Sequence, residues 1–145
     1  TIPTTTGKPP ITVSIVSALS GGYGHSVGLK NDGTVVAAGL NEDGQCKVSS
    51  WQNIMSVSAG SGHTVGLKKD GTVIAIGWNE EKQCNVSEWN NIISISAGSY
   101  MTYGLKSDGT VVAVGRNAEH QRDVSSWVDM YMDIESGCCV HITFG

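Results

Sequence analysis

The side chains best suited to metal binding, acid–base work or redox chemistry are four histidines and four cysteines. His25 and His63 occupy the same place in two similar stretches, so a paired ligand or catalytic function is the first reading to test. A zinc site would need further donors converging on one point. The third similar stretch has Met101 there, and His120 and His141 fall at other positions. The better reading is a structural histidine whose ring bonds backbone between neighbouring units. Cys46 and Cys84 are also equivalent positions one unit apart, beyond the roughly 7 Å between Cα atoms that a disulfide can span. They read as small buried residues. Cys138 and Cys139 are adjacent, and no pair has a CxxC spacing, so neither zinc nor a redox motif is implied.

Asp32, Asp70 and Asp108 suggest calcium at first sight. Each is followed by Gly-Thr between two apolar runs, which is the setting of a hairpin turn. Asn85-Val86-Ser87 has the form of a glycosylation sequon, a pattern common by chance. No carboxylate pair, Ser-His-Asp order or phosphate loop can be assembled. The expectation is a protein that is not an enzyme, with no catalytic residue, no metal and no cofactor.

What positions these side chains is a repeat. HSVGLKNDGTVVAAGLNEDGQCKVSSW, HTVGLKKDGTVIAIGWNEEKQCNVSEW and MTYGLKSDGTVVAVGRNAEHQRDVSSW follow one another, and Trp51, Trp89 and Trp127 fall 38 residues apart. A fixed period in this range means a repeat architecture. Within the central copy, residues 63–68 and 72–77 are strand-like runs joined through Asp70-Gly71, a strong hairpin signal. Glycine supplies the positive φ of that turn at no steric cost. The run 72–77 is apolar on both faces, so it is expected to be covered on both sides. Residues 83–86 read as a further short extended piece, and Ile-Ile-Ser-Ile-Ser-Ala at 92–97 alternates again. Four short strands per unit suggest a β-propeller blade, and the 19 glycines among 145 residues oppose a helical repeat.

The predicted fold is therefore all-β, with propeller blades of four antiparallel strands and about three and a half blades per chain. Residues 1–10 form a Thr/Pro-rich linker or edge piece. Repeats follow at about 11–48, 49–86 and 87–124, with a partial copy at 125–145. At this length a core burying roughly 68–70% of the unfolded surface is feasible. With 39% apolar and 15% charged residues and a net charge of −4, nothing suggests a nucleic-acid partner. No run approaches a membrane span. Three and a half blades do not close a ring. Either the sequence is part of a longer chain or identical chains combine, two of them giving about seven blades; the second is preferred, as a homodimer or other homo-oligomer.

The pattern GxxH[ST]xGLKxDGTVxAxGxNxxxQCxVSxW resembles the repeat of the regulator of chromosome condensation family in its compact bacterial form. The resemblance covers nearly everything after about residue 11. It implies a propeller, usually seven-bladed, that serves as a rigid platform for protein partners. The founding member is a nucleotide-exchange factor for a small GTPase that also docks on chromatin, and a secreted type inhibits β-lactamases. The third copy departs from the pattern at Tyr100-Met101 and Arg122, and no exchange-factor residue carries over.

Comparison of the copies separates scaffold from free positions. Gly-Leu-Lys, Asp-Gly-Thr-Val and Val-Ser recur, and the Trp of each copy reads as core. Leu40, Trp78 and Arg116 follow the strand-ending glycine and differ in every copy. The same loops continue through Asp43-Gly44, Glu81-Lys82 and Glu119-His120. A second varying set includes Tyr23 and Tyr100. Trp and Arg are enriched at interface hot spots, so these residues are the candidate partner-binding set, with packing over a neighbouring blade as the other reading of Trp78. The function expected is a non-catalytic scaffold that binds a protein through loops on one face and self-associates to complete the ring. The alternatives are a secreted inhibitor of an enzyme such as a β-lactamase, and a carbohydrate-binding or structural segment of a larger surface protein. Secretion or the cell surface is favoured over the cytoplasm.

Overall fold

A computed structural model describes residues 19–132 and 140–142 of the chain. It contains three successive three-stranded antiparallel sheets: β1 (Leu19–Gly21), β2 (His25–Leu29) and β3 (Val35–Gly39); β4 (Ile54–Ala59), β5 (His63–Lys68) and β6 (Val73–Gly77); β7 (Ile92–Ala97), β8 (Met101–Lys106) and β9 (Val111–Gly115). A two-stranded sheet follows, pairing β10 (Met130–Met132) with β11 (Val140–Ile142). The described residues hold no helix, and so none long and apolar enough to cross a membrane.

The hairpin reading is borne out in each copy. Gly33, Gly71 and Gly109 have φ of 84°, 86° and 85°. The preceding Asp accepts from the backbone N–H of the Thr two residues on at 3.0 Å and from its hydroxyl at 2.6 Å. These bonds hold all three Asp carboxyls below their ordinary pKa.

The reading of a fourth strand in each unit is not met among the described residues. Residues 83–84, and their counterparts in the other copies, lie in a turn, and the two residues after them join no strand. Side chains take the place of a strand ladder. Asn41, Asn79 and Asn117 accept through Oδ1 from the backbone N–H of Cys46, Cys84 and Arg122 at 2.8–2.9 Å. Gln45, Gln83 and Gln121 accept through Oε1 from Asp43, Glu81 and Glu119 at 2.8–3.1 Å. These local bonds compete with sheet pairing and win.

Core packing runs from sheet to sheet. Val27, Leu29, Val35, Val48 and Trp51 are buried, and Val57, Ile74 and Ile76 of the next sheet cover them. Val65, Leu67, Val73 and Val86 are covered in the same way by Ile95, Val112 and Val114. Each tryptophan lies on a glycine of the following unit. A Cβ on Gly66 would sit 2.8 Å from Trp51 Cζ3, and one on Gly104 would sit 2.9 Å from Trp89 Cζ3. The core reading of the tryptophans holds for Trp51, which is 4% exposed, but not for Trp127, which is 43% exposed. The linker at 1–10, the start of the first repeat at 11–18 and Cys138-Cys139 lie outside the described residues.

Candidate partner-binding face

The antiparallel order puts two kinds of connection at one end of each sheet: the turn between the first and second strands, and the exit from the third. The Asp-Gly turns lie at the opposite end. At the exit stand Gly39, Gly77 and Gly115, with φ of 117°, 119° and 120°. No side chain fits there. A Cβ on Gly77 would collide with the Gly62 carbonyl oxygen and lie 2.8 Å from His63 Cα. The close approach lets the next residue bond back to the turn. Leu40 N donates to Gly24 O at 2.8 Å, Trp78 N to Gly62 O at 2.9 Å and Arg116 N to Tyr100 O at 3.0 Å.

Those bonds join the two varying sets, which sequence comparison treats as separate. In the third copy Tyr100 occupies the turn and Arg116 the exit, with the guanidinium carbon 5.8 Å from the Tyr100 ring centroid. Trp78 of the second copy meets the same ring edge to face, with centroids 5.1 Å apart and planes at 63°. Trp78, Tyr100 and Arg116 thus form one aromatic and cationic row that crosses from one sheet to the next. Trp78 is half-buried in this contact, as packing over a neighbour requires. Tyr100 and Leu40 are exposed, and Tyr23 is 89% exposed. On the same loops Lys82 and Glu119 are exposed and Glu81 is half-buried.

The seam below this face orients it. Thr64 Oγ1 lies 2.7 Å from the Gln45 carbonyl oxygen and 2.8 Å from His25 Nε2. Its single hydroxyl hydrogen goes to the carbonyl, so the His25 Nε2–H donates to the hydroxyl. The next seam repeats this with His63, Thr102 and Gln83 at 2.9 and 2.7 Å. The structural reading of the two histidines stands: each ring meets backbone of the next unit, at His63 and Met101, and bonds a hydroxyl there as well. Burial pushes His25 below its ordinary pKa and His63 to about 4. Ser20 and Ser58 add an acceptor for the N–H of Ala59 and Ala97 at 3.0 and 2.9 Å. The buried Gln45 and Gln83 went unnoticed in the sequence, although the Asn-x-x-x-Gln spacing of each copy was visible.

Cys46 and Cys84 are free, half-buried thiols whose Sγ atoms donate to the Leu40 and Trp78 carbonyls at 3.2 and 3.5 Å. Burial raises Cys84 to about 11, which makes it a poor nucleophile. Among the described residues no three His, Cys, Asp or Glu side chains converge as metal ligands would.

Consecutive antiparallel sheets packed face to face, with their connecting loops gathered at one end, define a propeller-type repeat protein. The sequence model of the regulator of chromosome condensation (RCC1) repeat matches residues 16–45, 54–83 and 92–121, more than half of the chain, which therefore belongs to that family. No curated protein sequence matches it significantly. Among solved structures it is similar to Prp20p from Saccharomyces cerevisiae, with a TM-score of 0.59 and 22% identity over 74% of this chain and 33% of that one. It is also similar to the CRINKLY WD40 ectodomain of the Arabidopsis thaliana receptor kinase ACR4 (0.62, 21%, covering 77% and 45%) and to human WBSCR16 (0.62, 20%, covering 78% and 38%). The chain spans between a third and a half of the length of these relatives. At these identities the likeness concerns the fold. Prp20p is described with binding properties to Gsp1p and histones, and yeast RCC1 (Prp20) with Kap60 bound.

Proposed function

We propose that the chain is a non-catalytic platform that binds a protein partner through the loop face carrying Leu40, Trp78, Tyr100 and Arg116, and that copies self-associate to complete a propeller ring. The observation that carries this is the convergence of the positions that differ between copies. Identical backbone bonds hold Leu40, Trp78 and Arg116 in equivalent places, so the scaffold does not dictate their side chains. The result is an aromatic and cationic row of the kind that anchors interfaces. Glu42, Asp43, Glu80, Glu81 and Glu119 flank it against Lys82 and Arg116. A partner with a basic rim around an apolar centre fits that balance, and its association should slow as salt rises. Membership of a family whose Prp20p binds proteins supports the same reading.

The test is affinity capture with wild-type and Trp78→Ala baits, followed by calorimetric titration of the recovered partner. Trp78→Ala is expected to weaken binding by about 2 kcal/mol or more. Because the ring also packs on Tyr100, stability should fall by about 1 kcal/mol. Lys69→Ala, at the Asp-Gly end, serves as control. If it reduced binding as much as Trp78→Ala, the loop face would not be the binding surface.

A further inference from the structure

Four Asp-Gly pairs occur in the chain, at 32–33, 43–44, 70–71 and 108–109. Such a pair can react with itself. The glycine nitrogen attacks the aspartyl Cγ, a carboxyl oxygen leaves as water with the acid proton and the amide proton, and a cyclic imide forms. Water then opens the imide at either carbonyl, which restores aspartate or leaves isoaspartate, and no further reactant is needed. Glycine favours the attack because no Cβ hinders its nitrogen. The backbone hardly distinguishes the four pairs. Gly33, Gly71 and Gly109 have φ of 84°, 86° and 85°, and Gly44 has 82°. Each glycine N–H donates to the carbonyl three residues back, at 3.0 Å to Lys30, Lys68 and Lys106 and at 3.2 Å to Asn41. Each glycine carbonyl also accepts a bond, from the N–H of Ile54, Ile92, Met130 and, at Gly44, of Lys47.

The carboxyls differ. In the three hairpin turns Oδ1 of the aspartate accepts from the threonine N–H at 3.0 Å and from its hydroxyl at 2.6 Å. The two bonds turn the carboxyl toward the threonine. They also keep it ionised, below its ordinary pKa, and a carboxylate is a far poorer electrophile than the neutral acid. At 43–44 the next residue is Gln45, not threonine. The Gln45 Oε1 takes the Asp43 backbone N–H at 3.0 Å, and among the described residues no donor bonds the exposed Asp43 carboxyl.

We infer that Asp43-Gly44 is the pair at which the folded chain isomerises spontaneously to isoaspartate, and that Thr34, Thr72 and Thr110 guard the other three pairs against the same reaction. The reaction needs no partner, so the inference goes beyond the binding proposal and does not depend on it. Its consequence nevertheless falls on the loop face. A Cβ on Gly62 would lie 3.3 Å from Trp78 Cβ and 3.7 Å from Asp43 Oδ2, so the Asp43 carboxyl stands beside the base of Trp78. Isoaspartate adds a methylene to the backbone at that spot and carries its carboxylate directly on Cα. In a hairpin turn the same insertion would shift the register of two paired strands. The threonines thus confine the change to a loop where the sheets are unaffected.

The test is prolonged incubation of the folded protein in warm, mildly acidic buffer, beside the same chain in denaturant. Isoaspartate at each pair is then measured by peptide mapping with electron-transfer fragmentation. In denaturant the four pairs should react at similar rates. In the fold Asp43 should react at least about tenfold faster than Asp32, Asp70 or Asp108, the scale of one hydrogen bond to a charged group. Thr72→Val should speed the reaction at Asp70 by about threefold or more and leave Asp32 and Asp108 unchanged, while Thr72→Ser, which keeps the hydroxyl, should match the wild type. The two untouched turns report on folding within the same molecule, and Thr110→Val repeats the test at Asp108 should Thr72→Val fold poorly. Equal rates at all four pairs in the folded wild type would overturn the inference. So would valine variants that circular dichroism shows to be folded and whose aspartates react no faster than in the wild type.

Discussion

The seams between sheets and the loop edge above them obey opposite rules. At the two internal seams the same side chains make the same bonds: His25 to Thr64 and His63 to Thr102 at 2.8 and 2.9 Å, and each threonine to a glutamine carbonyl at 2.7 Å. At the loop edge the backbone bond is retained but the side chain after the glycine is Leu40, Trp78 or Arg116. A seam has no free side: every group faces another element, so a change on one sheet leaves a void or an unpaired polar atom on the next. At the edge only the backbone is spoken for. Within one chain, repetition thus separates what holds the blades together from what is available to a partner.

The sharpest way to break this comparison uses one residue type at one repeat position. Trp51 is buried on Gly66 of the next sheet, while Trp127 is 43% exposed. Trp51→Ala should cost about 3–5 kcal/mol. Trp127→Ala, measured on dilute protein, should cost about 1 kcal/mol or less. Denaturant titrations of the two variants decide it. Equal losses would mean that the seam is no more demanding than the chain's end.

Acid probes the seam next. The His63 pKa of about 4 lies below the ordinary 6.5, so the folded protein binds fewer protons than the unfolded chain between those values. Stability is full above pH 6.5 and falls on acidification until about pH 4. The loss is about 3 kcal/mol, at 1.36 kcal/mol for each unit between the folded and unfolded pKa. His25 is shifted in the same direction and adds to the slope. The three turn aspartates are also lowered, but their contribution is lost only at the acid end, below the ordinary carboxylate range. Thermal melts from pH 7 to 4 should show the fall, and His63→Gln should flatten most of it. A wild-type melting temperature constant over that range would show that the ring is not held neutral between sheets.

Much of this arrangement was legible in the sequence. The period, the Asp-Gly turns and the alternating runs located three strands in every copy, because each signal is local. The same locality misled at residues 83–86. An extended apolar-polar stretch looks like a strand until the asparagine and glutamine side chains that fold it are paired with their targets. Trp127 misled for another reason: it holds the same repeat position as Trp51 and Trp89 in the sequence, yet it is 43% exposed where Trp51 is buried. The candidate residues were visible as variable positions, but that Trp78, Tyr100 and Arg116 form one row depends on contact across a seam, which no single copy encodes.

The smallest expected effect concerns the loop edge itself. Gly44, Lys82 and His120 share one place in the loop and all have positive φ, at 82°, 68° and 61°. Glycine adopts that conformation freely, whereas a side chain there costs about 1 kcal/mol. Lys82→Gly should therefore raise stability by no more than about 0.5 kcal/mol after the roughly 0.4–1 kcal/mol of added freedom of the unfolded chain is subtracted, or roughly 1–2 °C in Tm. If the edge serves binding, the same variant should bind the partner more weakly, since it removes an exposed cation beside the Trp78 row. Stability and affinity would then move in opposite directions, as expected where strain is kept for function. A variant that gained stability without losing affinity would remove Lys82 from the binding surface, and one that lost stability would show that its stem packs in the fold.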